Sequence, residues 1–298
     1  MCSCTVFSLE MVDYLIENGI KISYFVSLTP EQAARYNVSG YHSYEEISKK
    51  HNIPIYYPKT YSMNTEEDYE FFHKQKFDLL FLGGWNRLIP NNIIKTLTIG
   101  GLGVHGSSDF LPKGRGRSPV NWSIMEGKKR FILQLFFLTD GVDSGDIIDY
   151  KIFDINNWDT CKTIHYKISI TEKRLLKEQI PKILLNTFNR TPQRGEPTYY
   201  PKRTPDDGLI DWNKSVFEIF NFIRALTKPY PGAFSYLDKQ RINIWEAQPF
   251  DTQIDYPDVQ IGTIVEKFSS GDFIVKCSSG LLLITVYDGM VKSGQKFS

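Results

Sequence analysis

The 298-residue sequence predicts an α/β protein: a mostly parallel sheet covered by helices, followed by a small, separate β-barrel-like domain. Three observations predict it. Strand and helix patterns alternate from residue 9 to residue 155, the order that builds parallel sheets. The run "FDLLFLGGW" (77–85) is continuously apolar, as a central strand buried on both faces requires. Beyond residues 190–205, rich in proline and charge, five short alternating segments separated by turns replace that order.

The elements follow from local chemistry. "LEMVDYLIEN" (9–18) has helical apolar spacing, and Asn18-Gly19 stops it. "IKISYFVSL" (20–28) alternates and is rich in β-branched and aromatic residues, so it reads as a strand. "SYEEISKKH" (43–51) is a short helix with Ser43 as N-cap and Glu46 completing a capping box. "IPIYY" (53–57) is a strand, and "TEEDYEFFHKQ" (65–75) a helix capped on the same logic. "PNNIIKTL" is a helix opened by Pro90, and a glycine-rich turn occupies 100–106. "SPVNWSIMEG" (118–127) starts a helix, with Ser118 as N-cap and Pro119 at its first position. Two strands, 131–139 and 147–155, flank the tight loop "DGVDSGD" as a hairpin, and a long helix spans 159–189 with Pro181 as its kink. An amphipathic helix (215–226) precedes the five C-terminal strands "AFSYL", "INIWEA", "GTIVEKF", "DFIVKC" and "LLLITVY". The domains expected are therefore residues 1–189 and 206–298, joined by a linker at 190–205.

Composition narrows the function. With 35 basic and 34 acidic residues the formal net charge is +1, which argues against a protein held on nucleic acid by global electrostatics. At 41% hydrophobic and 14% aromatic, the composition is that of a soluble globular protein with sizeable cores. No apolar run reaches membrane-spanning length and the N-terminus carries no signal pattern, so the default location is the cytoplasm and no membrane partner is expected. Cys2, Cys4, Cys161 and Cys277 match neither a disulfide framework nor a metal site and read as free thiols; no metal is expected.

The chemistry concentrates in "GVHGSSDFLPKGRGRSP" (103–119). His105 follows the apolar 93–104 segment, where an α/β sheet places groups at the carboxyl ends of its strands, the usual position of chemistry. In "DGVDSGD" (140–146), three acids in seven residues do not repeat the EF-hand spacing. A carboxylate at such a junction partners a histidine instead, and Asp143 is the candidate if the fold joins the two loops. The basic run "KGRGR" is either a solvated loop or a bidentate arginine site for phosphate or carboxylate. Neither a Walker loop nor a GxGxxG strand–helix turn is present, which removes the main support for nucleotide hydrolysis and dinucleotide redox chemistry.

"VHGS…LPKGRGRSPVNW", "GVDSGDII" and "TPDDGLIDWNKSVFEIFNFIRALTKPYPGAFSYL" (204–237) together resemble the folate-dependent formyltransferases over nearly the whole chain. That family includes the sugar-nucleotide N-formyltransferases and methionyl-tRNA formyltransferase. The resemblance implies a Rossmann-like catalytic domain, an OB-like C-terminal barrel, and formyl transfer from N10-formyltetrahydrofolate to a primary amine. It places the catalytic proton-transfer residue at His105 and, at Asp143, the aspartate that favours its protonated form. Folate contacts fall on Arg87, Leu88 and Ile89 of "WNRLIP", on Arg117, and on the turn Thr139, Asp140, Gly141 and Val142. A nucleotide-linked amino sugar for surface polysaccharide is the leading acceptor, because "SLTPEQAARYNVSGYHSYEE" lacks the basic insertion of the tRNA enzymes; initiator tRNA is the alternative, and a homodimer is implied by resemblance. Three departures stand out. Gly103 occupies the family's asparagine position, where an oxyanion donor is expected, with Ser107 and Ser108 as the nearest substitutes. The loop after His105 is two residues longer than usual, with Gly114 in place of an aromatic. The first β-strand is short or missing, leaving only residues 2–7 as a substitute and pointing to a chain that begins late. These departures motivate a third reading, a catalytically impaired binding protein.

Overall fold

The computed structural model describes residues 1–38 and 40–298, and of Phe7 the backbone alone. Ser39, within the stretch read above for a missing basic insertion, lies outside the described residues. In chain order the elements begin α1 (Leu9–Glu17), β1 (Phe25–Val26), α2 (Pro30–Arg35), α3 (Glu45–His51), β2 (Ile55–Tyr56), α4 (Glu66–Gln75) and β3 (Leu79–Leu82). They continue with α5 (Asn91–Ile94), β4 (Gly100–Ser107), β5 (Arg115–Gly116), α6 (Pro119–Met125), β6 (Arg130–Phe137), β7 (Ile147–Asp154), α7 (Cys161–Leu184) and β8 (Tyr199–Tyr200). The last are α8 (Val216–Leu226), β9 (Ala233–Leu237), β10 (Gln240–Asp251), β11 (Ile264–Lys267), β12 (Phe273–Cys277) and β13 (Gly280–Tyr287). The chain forms two compact units, one of residues 1–116, 132–153 and 167–199, the other of 117–131, 154–166 and 200–298.

The first unit is a mixed sheet with a parallel core. β1 pairs with β2 and β3 with β4, both parallel, while β4 pairs antiparallel with β6 and β7 lies beyond β6. Between the two parallel pairs runs the N-terminus, where Cys2 bridges Val26 on one side and Leu82 on the other. The Cys2 N–H donates to Phe81 O at 2.8 Å, and the Gly83 N–H donates to Cys2 O at 3.0 Å. The expected substitute strand is thus one residue wide, and buried Cys2 and Cys4 pack with Val26, Leu80 and Phe72. α1 buries Met11 and Leu15 against Phe81, Leu102 and Phe137, and α7 brings Leu175, Leu176 and Ile180 to the same core.

Local chemistry explains most boundaries. Thr65 accepts from the Asp68 N–H to open α4, as its sequence spacing predicts, and Thr29 and Gln32 form a full capping box on α2. Several expectations shift. The strand expected over 20–28 pairs as a ladder only at Phe25 and Val26, with single bonds beyond it from the Ser27 N–H to Tyr56 O and from the Met1 amine to Tyr24 O; Ile22 packs inward. The cap of α3 is Tyr44, and Ser43 Oγ accepts from the Glu45 N–H instead. Pro90 caps α5 rather than opening it. Ser118 precedes Pro119 as expected, but with φ of 58° it makes no capping hydrogen bond. The glycine-rich 100–106 segment is strand β4, not a turn. A Cβ at Gly101 would meet Leu138 at 2.6 Å, so the absent side chains let β6 and its neighbours close over β4.

The second unit is a five-stranded antiparallel sheet, ordered β11-β12-β13-β10-β9, on which α8 lays Val216, Ile219 and Ile223. Residues 294–298 run between the two edge strands: Ile264 N–H donates to Gln295 O and Ser298 N–H donates to Tyr236 O. Phe297 seals that seam by stacking on Trp212 at 5.0 Å.

One charge in the first unit sets a pH dependence. Glu172 lies half-buried on α7, one turn before Leu175 and Leu176, and desolvation pushes its carboxyl up to about 7. Because the folded pKa is raised, the associated stability is fully present below the unfolded carboxylate pKa of about 4.3 and is lost as pH rises through 7. Glu172→Gln is expected to stabilise the protein at pH 8 by on the order of 2 kcal/mol and to flatten this dependence. Urea unfolding at pH 5 and pH 8 checks it; equal gains at both pH values would contradict the assignment.

Candidate active site

Strand alternation puts Gly103, His105 and Ser107 of β4 on one face, and the register sets Gly103 opposite Phe136 and His105 opposite Gln134. β4 runs parallel to β3, so His105 lies toward the same sheet end as residues 83–89, which leave the carboxyl end of β3. His105 is 7% exposed. Its Nδ1 lies 3.3 Å from Asp143 Oδ2, and its Nε2 lies 2.7 Å from the Gly114 carbonyl. A carbonyl oxygen only accepts, so Nε2 carries a hydrogen here. The two nitrogens therefore have separate roles: one faces a carboxylate, the other a loop.

Asp143 is placed by its own turn. It takes the left-handed region, φ 48°, between Thr139 and Ser144, whose hydroxyls lie 2.6 Å apart. The Gly116 N–H donates to Asp143 Oδ2 at 3.3 Å. The glycine of "DSGD" is a steric requirement, because a Cβ on Gly145 would sit 1.7 Å from Phe137 O. The β6-to-β7 turn doubles back there against its own strand.

Residues 193–199 of the expected linker brace both loops. Gln193 Nε2 donates to the carbonyls of Asp143 at 2.8 Å and Gly145 at 2.7 Å, and its Oε1 accepts from the Arg115 guanidinium at 2.5 Å. Arg115 also donates to Tyr199 Oη at 3.2 Å, and Thr198 holds the backbone N–H groups of Gly114 and Arg115. Sequence reasoning missed Gln193 and Tyr199, for which no local signal existed. Arg115 was visible in "KGRGR", where the resemblance singled out Arg117 instead.

The other expected residues divide. Thr139, Asp140 and Val142 are exposed on the turn that carries Asp143, with Gly141 half-exposed among them. Arg87 is exposed with its guanidinium over the Tyr61 ring at 4.9 Å, Leu88 is 53% exposed, and Ile89 is buried in the core with Trp85. Arg117 is exposed and falls in the second unit. Ser107 donates to Asp109 O at 2.7 Å and accepts from the Asp109 N–H, and Ser108 Oγ turns to the Asp109 carboxylate at 3.5 Å. Both hydroxyls serve their loop rather than the face of His105. Among the described residues no cluster of three His, Cys, Asp or Glu side chains could hold a metal, and all four cysteines are free and buried.

Gly103 has a packing explanation. A Cβ there would lie 2.9 Å from both Leu138 Cδ2 and Phe136 Cζ, so those two side chains occupy the space an asparagine would use. Gly103→Asn is expected to cost about 1–3 kcal/mol of stability and to bring no gain in turnover. Pairing it with Leu138→Ala should recover most of that loss. Denaturant unfolding and kcat of the two variants check this; a faster single variant would show that the space is free.

A sheet with a parallel core and a C-terminal antiparallel domain define the class of fold, a two-part α/β protein. The chain belongs to the formyl transferase family. The model described as "Formyl transferase" matches residues 22–180, and "Formyl transferase, C-terminal domain" matches residues 202–292. The chain is 35% identical over 235 residues to the bifunctional polymyxin resistance protein ArnA of Wigglesworthia glossinidia brevipalpis. That match covers 78% of this chain and 35% of the relative, so the chain spans about a third of that relative's length. Its fold is similar to an N-formyltransferase from Helicobacter canadensis solved with folinic acid and dTDP-3-aminofucose (TM-score 0.64, 20% identity, 99% of this chain and 97% of that one). It is also similar to WlaRD, a sugar 3N-formyl transferase solved with dTDP and 5-N-formyl-THF (TM-score 0.68, 18% identity, 97% of each chain).

Proposed function

We propose that this chain transfers a formyl group from N10-formyltetrahydrofolate to the amino group of a nucleotide-linked amino sugar used in surface polysaccharide. The observation that carries the reading is the 3.3 Å approach of His105 Nδ1 to Asp143 Oδ2 within a formyl transferase chain. An amine that attacks a carbonyl carbon must lose a proton, and a positioned imidazole is the commonest group to move it. Asp143 fixes the ring from the Nδ1 side, which leaves Nε2 as the atom that holds or moves the proton once it leaves the Gly114 carbonyl. The folate supplies the formyl group when bound. The residues expected to hold it suit a flat, partly apolar molecule: Leu88 and Val142 are exposed apolar side chains, and the buried Trp85 indole N–H lacks a partner. Arg87, Ile89, Arg117 and the turn 139–142 are proposed as its further contacts.

The sugar-nucleotide acceptor is favoured by the relatives, since the Helicobacter canadensis and WlaRD proteins were solved with dTDP-3-aminofucose and dTDP respectively. The charge balance of +1 points away from initiator tRNA, whose binding scales with phosphates neutralised. The impaired-enzyme reading retains one specific support, the filled space at Gly103. We place the protein in the cytoplasm as a homodimer; no helix among the described residues is long and apolar enough to cross a membrane. Incubation with the folate donor and UDP-, dTDP- or GDP-linked amino sugars, with charged initiator tRNA in parallel, tests the reading. A formylated sugar nucleotide supports it. Formylated tRNA alone would replace the acceptor, and no transfer to any of them would leave the binding-protein reading.

A further inference from the structure

Asp143 does not hold its position unaided. Its backbone lies in the left-handed region, φ 48°, which a residue with a Cβ keeps only where its surroundings over-determine it. Part of that support comes from 50 residues further along the chain. The two hydrogens of Gln193 Nε2 are spent on one turn, at Asp143 O (2.8 Å) and Gly145 O (2.7 Å), while Oε1 accepts from the Arg115 guanidinium. A carbonyl only accepts and a guanidinium only donates, so a flipped amide would set like groups against each other on both sides. We propose that Gln193 is a positioning residue for formyl transfer: through the turn it holds the Asp143 carboxylate against His105 Nδ1, and so sets turnover rather than substrate affinity. The proposal rests on the formyl-transfer reading.

Three features carry this role. The first is leverage: His105 Nδ1 and Asp143 Oδ2 are 3.3 Å apart, already long for a charge-assisted hydrogen bond, so a small drift of the turn loses the contact. Misplacing a positioned group by about 1 Å costs on the order of 100-fold in rate. The second is reach. Arg115 sits between Gly114, whose carbonyl meets His105 Nε2, and Gly116, whose N–H donates to Asp143 Oδ2. One amide therefore ties the segment on the Nε2 side of the ring to the turn on its Nδ1 side. The cation on Oε1 polarises that amide and strengthens both of its donations. The third is that segment 191–199 does not depend on this side chain for its own place. Thr191 exchanges both backbone bonds with Ile147, at 2.8 and 2.9 Å, and Thr198 O accepts from the Arg115 N–H at 2.9 Å. With the segment anchored by backbone at both ends, what the Gln193 side chain adds is the placement of the turn.

Steady-state kinetics of Gln193→Ala and Gln193→Glu, with N10-formyltetrahydrofolate and the sugar nucleotide that the wild type formylates, test this. Alanine removes both donations; glutamate keeps the reach and the Arg115 contact but turns an oxygen toward two carbonyls. Both variants are expected to lose tenfold or more in kcat, with KM for either substrate changed less than threefold and thermal unfolding close to wild type. In an Asp143→Asn background, Gln193→Ala should cost less than a further twofold, because the group it positions is gone. A readout without turnover is the 15N shifts of the His105 ring at pH 7, assigned by their absence in His105→Gln. They should move in Gln193→Ala in the same sense as in Asp143→Asn. Wild-type kcat, a loss carried by KM, or full additivity with Asp143→Asn would overturn the positioning role, and so would unmoved ring shifts in a folded Gln193→Ala protein. If the wild type formylates no sugar nucleotide, the formyl-transfer reading falls instead, and the ring shifts alone decide whether Gln193 places Asp143.

Discussion

Replacing His105 by glutamine is expected to lower kcat for formyl transfer by about 10²–10⁴-fold, the usual worth of a positioned proton-transfer group. Glutamine suits the test because its amide can still donate to the Gly114 carbonyl that Nε2 now contacts at 2.7 Å. The fold should therefore survive while the titratable nitrogen disappears. Asp143→Asn should fall in the same range, because a neutral amide in place of the carboxylate 3.3 Å from Nδ1 no longer offers a negative charge to a protonated ring. The two losses should be far from additive, since both residues act through one ring. The measurements are kcat and KM for the single and double variants beside a thermal unfolding curve. Wild-type turnover in a folded His105→Gln protein would end the proposed mechanism.

Gly145→Ala is the second large effect. The added Cβ would lie 1.7 Å from Phe137 O, and backbone at that distance cannot yield as a side-chain tip can. Relief requires the turn to open, which sacrifices the Phe137 N–H to Asp146 O bond of 3.0 Å and the bond from Gln193 to Gly145 O. We expect a loss of about 3 kcal/mol or more in stability, with turnover reduced because Asp143 moves with its turn. Gly141→Ala in the same loop is the control: its Cβ meets side chains and no backbone, the nearest being the Ser144 hydroxyl, which can rotate away. Urea unfolding of both variants distinguishes the cases, and equal stabilities would mean that the turn is not held where the structure places it.

The site was legible in unequal parts. The motifs around His105 and "DSGD" could be read as strings, but nothing in them states a distance, and the two residues are 38 positions apart in the chain. The bracing segment 193–199 was illegible for a plainer reason: "TPQRGEPTYYPKRTP" has the composition of a linker, and Gln193 acquires a role only where the chain returns to the Asp143 turn. Gly103 was legible as a residue but not as a packing site. The sequence shows that the donor is absent, and the structure adds that Leu138 and Phe136, side chains more than thirty positions away, occupy the space it would use.

By itself the sequence determined what neighbours within a few residues can settle: the helix cap at Thr65, the alternating C-terminal strands, and the motif strings of the family. Only the tertiary structure decided that one residue, Cys2, stands in for a whole strand, that a glycine-rich stretch is β4, and that Arg115 is buried with two hydrogen bonds supplied by Gln193 and Tyr199. The physical reason is range. Capping and side-chain alternation act over a turn or a strand, while register and burial depend on which distant segments meet, and no local propensity carries that information.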